Sequence, residues 1–295
     1  MSFSPNRLLF VFAALLPVVG HAGPVGDLRV RTTAGWAENL SRSVIPTDQK
    51  ASALYEVTAA TGWSRQLSGS VQATAGLEAA ALVVDRHSLN NRGTFGPRVS
   101  ARHKFGLGPL APVLQAEIGA TQRFARAPGD RGTTTEGGLT LAKRLNPAWR
   151  VSATTDWSDH AARSPAFDVH HRRLHGAVTW DITDRWQAAA GGGRLDGVFA
   201  ANASWPVWGA ALGGALGPVV QEYYNSIPWR ITDLYGPGWV TYPVSGHADF
   251  WWLELAPALG PRSTLTLRYE RADAVNRVGI KYRQERWTLG LLLRL

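Results

Sequence analysis

Apolar and polar residues alternate along most of this chain, in segments of the roughly 10 residues that a tilted strand needs to cross a bilayer. Residues 149–157 show this best, with tryptophan, valine, alanine and threonine at odd positions and arginine, serine, threonine and aspartate at even positions. Successive side chains of a strand point to opposite faces, so one face of this segment is apolar and the other polar. The pattern predicts a strand between lipid and water, with Trp149 and Trp157 in two aromatic belts.

Similar alternation predicts about twelve strands, and an even number puts both chain ends on the periplasmic side, as in single-chain bacterial barrels. The ninth strand is the weakest, because Ala188 to Gly193 are small on both faces. Residues 85–95 are polar and rich in turn formers, which predicts an exposed loop. We therefore expect an all-β fold, an antiparallel transmembrane β-barrel; a soluble β-sandwich, which also alternates, is the alternative. The predicted strands run through residues 29–36, 56–63, 71–83, 98–105, 114–123, 136–144, 149–157, 173–182, 186–196, 251–255, 265–269 and 278–295.

One long connection interrupts this rhythm between the ninth and tenth predicted strands. Residues 198–246 contain no convincing amphipathic strand and few charges, and they are rich in aromatic residues, including Trp205, Trp208, Tyr223, Tyr224, Trp229 and Trp239. Loops longer than about 15 residues in compact domains are usually functional or disordered, and this composition argues against disorder. The strand parity places the segment outside the cell. We expect an extracellular lid, plug or ligand platform; a cap that only stabilises the rim is the alternative.

The N-terminal residues have the features of a secretory signal. Arg7 precedes an apolar run from Leu8 to Val19, and Gly20 and Ala22 supply the small residues of a signal-peptidase site. The run is shorter than the roughly 20 residues of a membrane-spanning helix. The chain contains no cysteine, so a disulfide framework is excluded for the exported protein. We expect residues 1–22 to be removed and residues 23–295 to form the barrel.

The C-terminal residues repeat the alternation, with leucine at positions 289, 291, 293 and 295 on one face. This segment resembles the C-terminal signal by which bacterial outer-membrane β-barrels are recognised for assembly, although that signal more often ends in an aromatic residue. The resemblance implies insertion into the outer membrane by the barrel assembly machinery. It rests on Thr288, Gly290, Leu293 and Leu295.

Composition agrees with a two-faced sheet, and the charge raises the question of function. Only 45% of residues are apolar, yet the chain has 13 tryptophans and 31 glycines, and its formal net charge is +9. One interpretation of inward charge is a channel that favours anions; the other is salt-bridged packing that fills a narrow barrel. Charges strung along strands do not form the patch typical of nucleic-acid binding. The strand phases predict these lumen-lining residues: Arg102, Lys104, Glu117, Arg123, Glu136, Arg150, Asp156, Arg173, Glu254, Arg268 and Arg286.

Catalytic and metal chemistry have little support in the sequence. Asp156, Ser158, His160, His171 and His175 are predicted to point inward near one hairpin, so the residue types for acyl transfer are present. A barrel enzyme acting on membrane lipid needs its nucleophile on the lipid side instead, and motifs of outer-membrane phospholipase or lipid A deacylase barrels are absent. The histidines lack a standard metal-ligand spacing. We expect no enzyme activity, cofactor or metal.

The chain as a whole resembles bacterial outer-membrane barrels, loosely those associated with polysaccharide export and the oligosaccharide-specific porins. This resemblance implies a place in the outer membrane, in contact with its lipid and lipopolysaccharide. It also implies a narrow channel or export-associated pore for anionic or saccharide solutes. A receptor for a surface polymer, or a structural barrel with a salt-bridged lumen, is the alternative; an outer-membrane lipid hydrolase is a more distant one.

Deletion of residues 293–295, or Leu293→Asp, should abolish membrane insertion while export across the inner membrane continues. The terminal strand must both be recognised and close the sheet, because an open sheet edge is not tolerated in lipid. Heat-modifiable migration in detergent gels, together with membrane fractionation, measures this. A truncated chain that still gives a heat-modifiable band in the outer-membrane fraction would contradict the assignment.

Overall fold

The computed structural model describes residues 28–295, so the predicted signal peptide, residues 1–22, lies outside the described part of the chain. Twelve long antiparallel strands and one two-residue strand form a single sheet. The two-residue strand is β10, and every other strand belongs to the barrel wall. The strands are β1 (Arg29–Ala37), β2 (Ser52–Gln66), β3 (Val71–Val84), β4 (Arg92–Lys104), β5 (Val113–Ala125), β6 (Gly132–Arg144), β7 (Trp149–Ala162), β8 (Val169–Asp181), β9 (Trp186–Ala203), β10 (Arg230–Ile231), β11 (Val240–Gly260), β12 (Ser263–Asn276) and β13 (Lys281–Arg294).

The sheet closes on itself, which confirms the predicted transmembrane β-barrel. Each wall strand pairs with the next wall strand in sequence, so β9 pairs with β11. The last strand, β13, pairs with β1 from Arg29↔Arg294 to Ala37↔Arg286. Closure satisfies the backbone hydrogen bonds that an open sheet edge would leave unpaired in lipid. Within residues 28–295, no helix is long and apolar enough to cross a membrane.

The connections differ in length at the two ends of the barrel. Residues 67–70, 105–112, 145–148, 182–185 and 261–262 form one set, and residues 38–51, 85–91, 126–131, 163–168, 204–239 and 277–280 form the other. The second set contains the longest connections and four single 3-10 turns. Bacterial barrels have short periplasmic turns and longer extracellular loops. We therefore call the end with residues 204–239 the outer end.

Aromatic side chains border the lipid-facing surface at both ends. Near the inner end, the rings of Trp149 and Trp180 stack with centroids 5.5 Å apart. Towards the outer end, Tyr269 lies between Trp251 and Trp287, with centroid distances of 5.2 and 4.6 Å. The leucines, valines and isoleucines between the belts are largely exposed on the barrel's outer surface, which is the arrangement expected where lipid covers the wall.

The small residues of β9 have a packing reason that the alternation pattern does not show. Gly191 pairs with Trp252 of β11, and Gly193 pairs with Phe250. A Cβ atom at Gly191 would lie 2.5 Å from the Trp252 ring. Since Trp251 faces lipid, its neighbours Phe250 and Trp252 face the interior. Gly191 therefore makes room for the Trp252 ring inside the barrel, whereas Gly193 allows close approach of β8, because a Cβ atom there would collide with the carbonyl of Leu174.

The predicted boundaries need correction in two places. The loop expected at residues 198–246 is shorter, because β9 continues to Ala203 and β11 begins at Val240. The intervening chain holds helices α1 (Trp205–Leu212) and α2 (Pro218–Ser226) as well as β10. Residues 92–95, expected in an exposed loop, are part of β4. The physical reason at the ends of β9 and β11 is that their inward residues contact α1 and α2 rather than water, so the inner face there is apolar.

Leu291→Arg should destabilise the inserted barrel by about 2–4 kcal/mol, whereas Thr288→Lys should cost much less. Leu291 faces lipid and pairs with Thr32 and Leu265, halfway between Trp287 in the outer belt and the C-terminus. Thr288 has the opposite phase and faces the lumen. Denaturant unfolding in lipid vesicles measures both variants, and equal losses of stability would contradict the assignment of the two faces.

Candidate functional site

The lumen collects most of the charged side chains of the strands. Pairing in register puts residues directly opposite each other on one face of the sheet, so Gly119↔Glu136, Gly138↔Asp156 and Asp156↔Arg173 follow the inner face around one wall. Glu254↔Arg268 lies on the opposite wall. By the same alternation, the structure places all the predicted lumen residues on the inner face: Arg102, Lys104, Glu117, Arg123, Glu136, Arg150, Asp156, Arg173, Glu254, Arg268 and Arg286.

Arg98 is the centre of a cluster of four ion-pairing residues in the lumen. Its guanidinium lies 3.4 Å from a carboxylate oxygen of Glu78 and 3.6 Å from one of Glu117, and it donates a hydrogen bond to Glu136. One arginine thus joins four adjacent strands, β3 to β6. The same wall borders a cavity of about 390 Å³ that also includes Asp156 and Arg173. This part of the lumen is polar and internally paired.

The opposite wall combines charges with inward aromatic rings. Arg268 lies 3.7 Å from Glu254 and 2.6 Å from Glu270, and its guanidinium lies 4.4 Å from the centre of the Trp252 ring. The guanidinium of Arg173 lies 5.8 Å from the Phe250 ring centre. An arginine over an aromatic face is stabilised by the ring quadrupole. Sequence reasoning missed both rings, although a run of adjacent aromatics must place at least one of them inside.

Several inward basic residues lack an ion-pair partner within residues 28–295. Three of the predicted lumen arginines are in this group: Arg102, Arg150 and Arg286. The Nε atom of Arg286 is also buried without a hydrogen-bond partner. Glu117 and Glu136 pair with Arg98, and Glu254 pairs with Arg268. These three carboxylates are therefore engaged elsewhere. Glu56 lines the same cavity as Arg286 without forming an ion pair with it, so Arg102, Arg150 and Arg286 stay available to a solute.

The connection between β1 and β2 folds across the outer end of the lumen, a feature that the sequence did not reveal. Arg42 adopts a positive φ of 52° and donates a hydrogen bond to the carbonyl of Ala200 on β9. The side-chain amide of Asn202 donates to the carbonyl of Ser41, and the backbone N–H of Ser204 donates to Asp48. These bonds hold residues 38–51 against β9, far around the barrel wall from β1. We call this segment the crossing loop.

Arg42 carries a half-buried charge at the end of a cavity. No carboxylate within residues 28–295 forms an ion pair with it, and loss of solvation by burial lowers the pKa of its guanidinium. The cavity, of about 240 Å³, is also lined by His171, Arg173, Phe199 and Phe250. The outer end of the lumen is thus a narrow, cationic and partly aromatic space.

The predicted aromatic loop residues divide between two packed clusters and the surface. Trp208 and Tyr224 are buried against Tyr242 of β11, with ring centroids 4.6 and 5.6 Å from it. The backbone N–H of Ser245 donates to the Tyr223 hydroxyl. Trp239 is buried in a second cluster that includes Leu234, Tyr235 and Phe167, whereas Trp205 and Trp229 are exposed. We call residues 204–239 the lid.

A polar contact anchors the connection between β5 and β6 beneath this cover. The Nδ1 atom of His160 lies 2.9 Å from the Thr134 hydroxyl, and its Nε2 atom lies 3.3 Å from Asp130. Arg123 donates to the same carboxylate. Burial would raise the pKa of Asp130, but the His160 hydrogen bond and the charge of Arg123 outweigh it and lower the pKa. His160 is therefore part of a structural contact.

Four of the inward groups considered for catalysis line one cavity: Asp156, Ser158, His171 and His175. Ser158 and His171 are cross-strand neighbours, but His175 is the histidine near Asp156, with Nδ1 3.7 Å from the carboxylate. Asp156 also accepts hydrogen bonds from Arg173. No group of metal-ligating side chains occurs in the described part of the chain. The arrangement can bind charged groups. It does not join a nucleophile, a base and an orienting acid in a hydrogen-bonded series.

Comparison with known proteins gives the fold. No family model and no curated protein matches the chain. A solved outer membrane channel from Pseudomonas putida is similar, with 10% identity, a TM-score of 0.51, and coverage of 93% of this chain and 97% of that chain. A KdgM porin in complex with disordered oligogalacturonate aligns with 7% identity and a TM-score of 0.43, covering 90% and 98%. Outer membrane phospholipase A from Escherichia coli aligns with 10% identity and a TM-score of 0.46, covering 90% and 92%.

Three features define the class of protein: the closed barrel, the lipid-facing aromatic belts and the polar interior. The chain is an outer-membrane β-barrel with a porin-like fold. Its place is the outer membrane, where closed barrels of this kind span the bilayer.

Arg98→Gln should lower the free energy of unfolding by about 1–3 kcal/mol, because three carboxylates would then face one another without a cation. Adding Glu117→Gln should recover part of the loss. Arg102→Gln is the matched control, since Arg102 has the same charge without an ion pair, and its effect should stay within about 0.5 kcal/mol. Denaturant unfolding in vesicles measures all three variants. Equal losses for Arg98→Gln and Arg102→Gln would show that the cluster does not stabilise the barrel.

Proposed function

We propose that this protein is a non-enzymatic outer-membrane channel for anionic, saccharide-like solutes, with an outer mouth covered by the crossing loop and the lid. The observation that carries the proposal is the set of inward arginines without carboxylate partners, Arg102, Arg150 and Arg286. Unpaired cations along a lumen lower the electrostatic barrier for negative solutes. Fully paired charges would give no such preference.

The inward aromatic rings support a saccharide-like solute. Trp252 and Phe250 present faces to the interior beside Arg268 and Arg173. A sugar acid offers apolar C–H faces and carboxylates together, and this wall offers rings and guanidinium groups together. A cavity of about 310 Å³ beside Arg268 and Arg286 gives such a solute room, and its lining of arginines, threonines and glutamates offers hydrogen bonds to sugar hydroxyl groups. A small inorganic anion would contact only the guanidinium groups, and the aromatic rings would add nothing to its binding.

The covered mouth supports gating rather than a permanently open pore. The lid buries Trp208 and Tyr224 in the barrel, and Tyr235 donates a hydrogen bond to the carbonyl of Leu40 in the crossing loop. Both segments are connections, which can move without breaking the hydrogen bonds between wall strands. The proposed open state therefore has the lid displaced and the barrel wall unchanged.

A receptor or structural barrel is the second candidate, and the Arg98 cluster favours it. Four strands joined by one arginine and three glutamates are the pairing expected of a filled lumen. In that case the lid would be a surface for a polymer rather than a gate. The two candidates differ in what they predict for ion flow.

Charge reversal in the lumen tests the channel directly. Changing Arg102, Arg150 and Arg286 to Glu should shift the ion preference in planar bilayers from anions toward cations, because each side chain contributes to the barrier that ions meet. The reversal potential under a salt gradient should change sign. Arg65→Glu is the matched control, since Arg65 lies on the lipid-facing side of β2 beyond Trp63, and it should leave the reversal potential unchanged.

Removal of the lid gives the second measurement on the same protein. Replacing residues 206–237 with a short glycine and serine linker keeps the Ala203↔Val240 pairing of the wall and should raise conductance. Near-zero conductance after both lid removal and charge reversal, in a barrel that remains heat-modifiable, would reject the channel and favour the receptor or structural barrel.

A further inference from the structure

The outer surface of the barrel carries a second basic site, separate from the lumen. Three exposed arginines lie next to the outer ends of β5, β6 and β7: Arg126, Arg131 and Arg163. Ala125 faces the lumen opposite Arg92, and Gly132 and Ala162 are likewise an inward pair. By alternation, the arginines next to these residues point to the lipid-facing side. Three cations therefore lie together at the outer rim of the wall.

These arginines line one groove, whose volume is about 760 Å³. Below them the groove is apolar, with Val83 of β3 and Phe124 of β5, and Phe124 is 60% exposed. Gln122 adds an amide between the apolar and basic parts. No aspartate or glutamate lines the groove among residues 28–295. The site combines an apolar floor in the bilayer with three positive charges at the level of the headgroups.

Other outward arginines of the barrel wall form ion pairs. Arg194 lies 3.2 Å from Asp196, and Arg271 and Arg283 each lie 2.9 Å from Asp273. Those outward arginines balance outward carboxylates on neighbouring strand positions. In the described part of the chain, Arg126, Arg131 and Arg163 form no such ion pair. Their charge is therefore free to bind a counter-charge from outside the protein.

Backbone bonds give the basic site a fixed geometry. The backbone N–H of Arg163 donates to the carbonyl of Arg131 over 2.7 Å, and the Nε atom of Arg131 donates to the carbonyl of Ala125. The backbone N–H of Arg126 donates to the carbonyl of Asn91. Three connections are thereby tied together, so the backbones that carry the three arginines have fixed positions, and the Arg131 guanidinium is itself anchored. Preorganised guanidinium groups bind phosphate strongly, often through two parallel hydrogen bonds.

We propose that this groove binds one phosphorylated glycolipid of the outer leaflet, with its phosphates on Arg126, Arg131 and Arg163 and its acyl chains on Phe124 and Val83. The charge complementarity and the apolar floor together select this occupant. A soluble anion would gain nothing from the floor, and a second copy of the barrel would bring its own basic groove. The site lies outside the lumen, so it stands whether or not the protein conducts.

The test titrates the detergent-solubilised barrel with bisphosphorylated lipid A and follows bound lipid by native mass spectrometry. The variant Arg126→Gln/Arg131→Gln/Arg163→Gln should need about tenfold more lipid for half-saturation, because it lacks the charge-assisted contacts. The matched control, Arg194→Gln/Arg271→Gln/Arg283→Gln, removes as many outward arginines and should stay within about twofold of the wild type. Lipid A without phosphates should bind the wild type and the groove variant equally weakly.

Three results would overturn the site. They are equal binding of bisphosphorylated lipid A by the wild type and the groove variant, equal binding of lipid A with and without phosphates, and an equal loss in the control variant. Heat-modifiable migration verifies that each variant is folded. If the triple variant does not fold, Arg163→Gln alone should weaken binding about threefold, and an unchanged half-saturation in that variant would also reject the proposal.

Discussion

The structure depends on one constraint, that every backbone hydrogen-bonding group in the bilayer must find a partner within the protein. Pairing of β1 with β13 and of β9 with β11 meets it by removing both edges of the sheet. Closure then dictates the two-faced strands, since each wall residue must face either lipid or the lumen. The belts of Trp149 and Trp180 and of Trp251, Tyr269 and Trp287 mark where that requirement ends and headgroups begin.

Closure also creates an interior that has to be filled, and this protein fills it in three ways. Arg98 with its glutamates occupies one wall, and the Trp252 and Phe250 rings occupy the other above the glycines of β9. The crossing loop and the lid occupy the outer end. The lumen is therefore asymmetric around the barrel axis, with ion pairs facing aromatic rings, and a solute would meet both kinds of surface at once.

The barrel could be predicted from the sequence because the lipid and the water impose a strict two-residue period on the wall. The strand prediction failed where the inner face contacts protein instead of water, because the two-residue period is absent there. At residues 198–203 and 240–246 the inner face contacts α1 and α2, so Ala201 and Val244 read as apolar on a side that elsewhere is polar. Arg42 could not be found at all, because it lies in a connection and reaches Ala200 through the folded chain. Phe250 and Trp252 were detectable from the aromatic run, but the space for the Trp252 ring depends on its pairing with Gly191 of β9.

The crossing loop has a consequence for the order of folding. Arg42 and Ala200 are 158 positions apart in sequence, and Ser41 and Asn202 are 161 apart. Contacts between such distant segments form late, because the loop-closure entropy must first be offset by the structure between them. Strands β2 to β9 lie between these partners and must already be paired when Arg42 reaches its place. Closure of the wall joins partners that are still farther apart, such as Arg29 and Arg294. By the same criterion the crossing loop can dock on β9 before β1 pairs with β13, so the outer mouth is covered while the seam of the wall is still open.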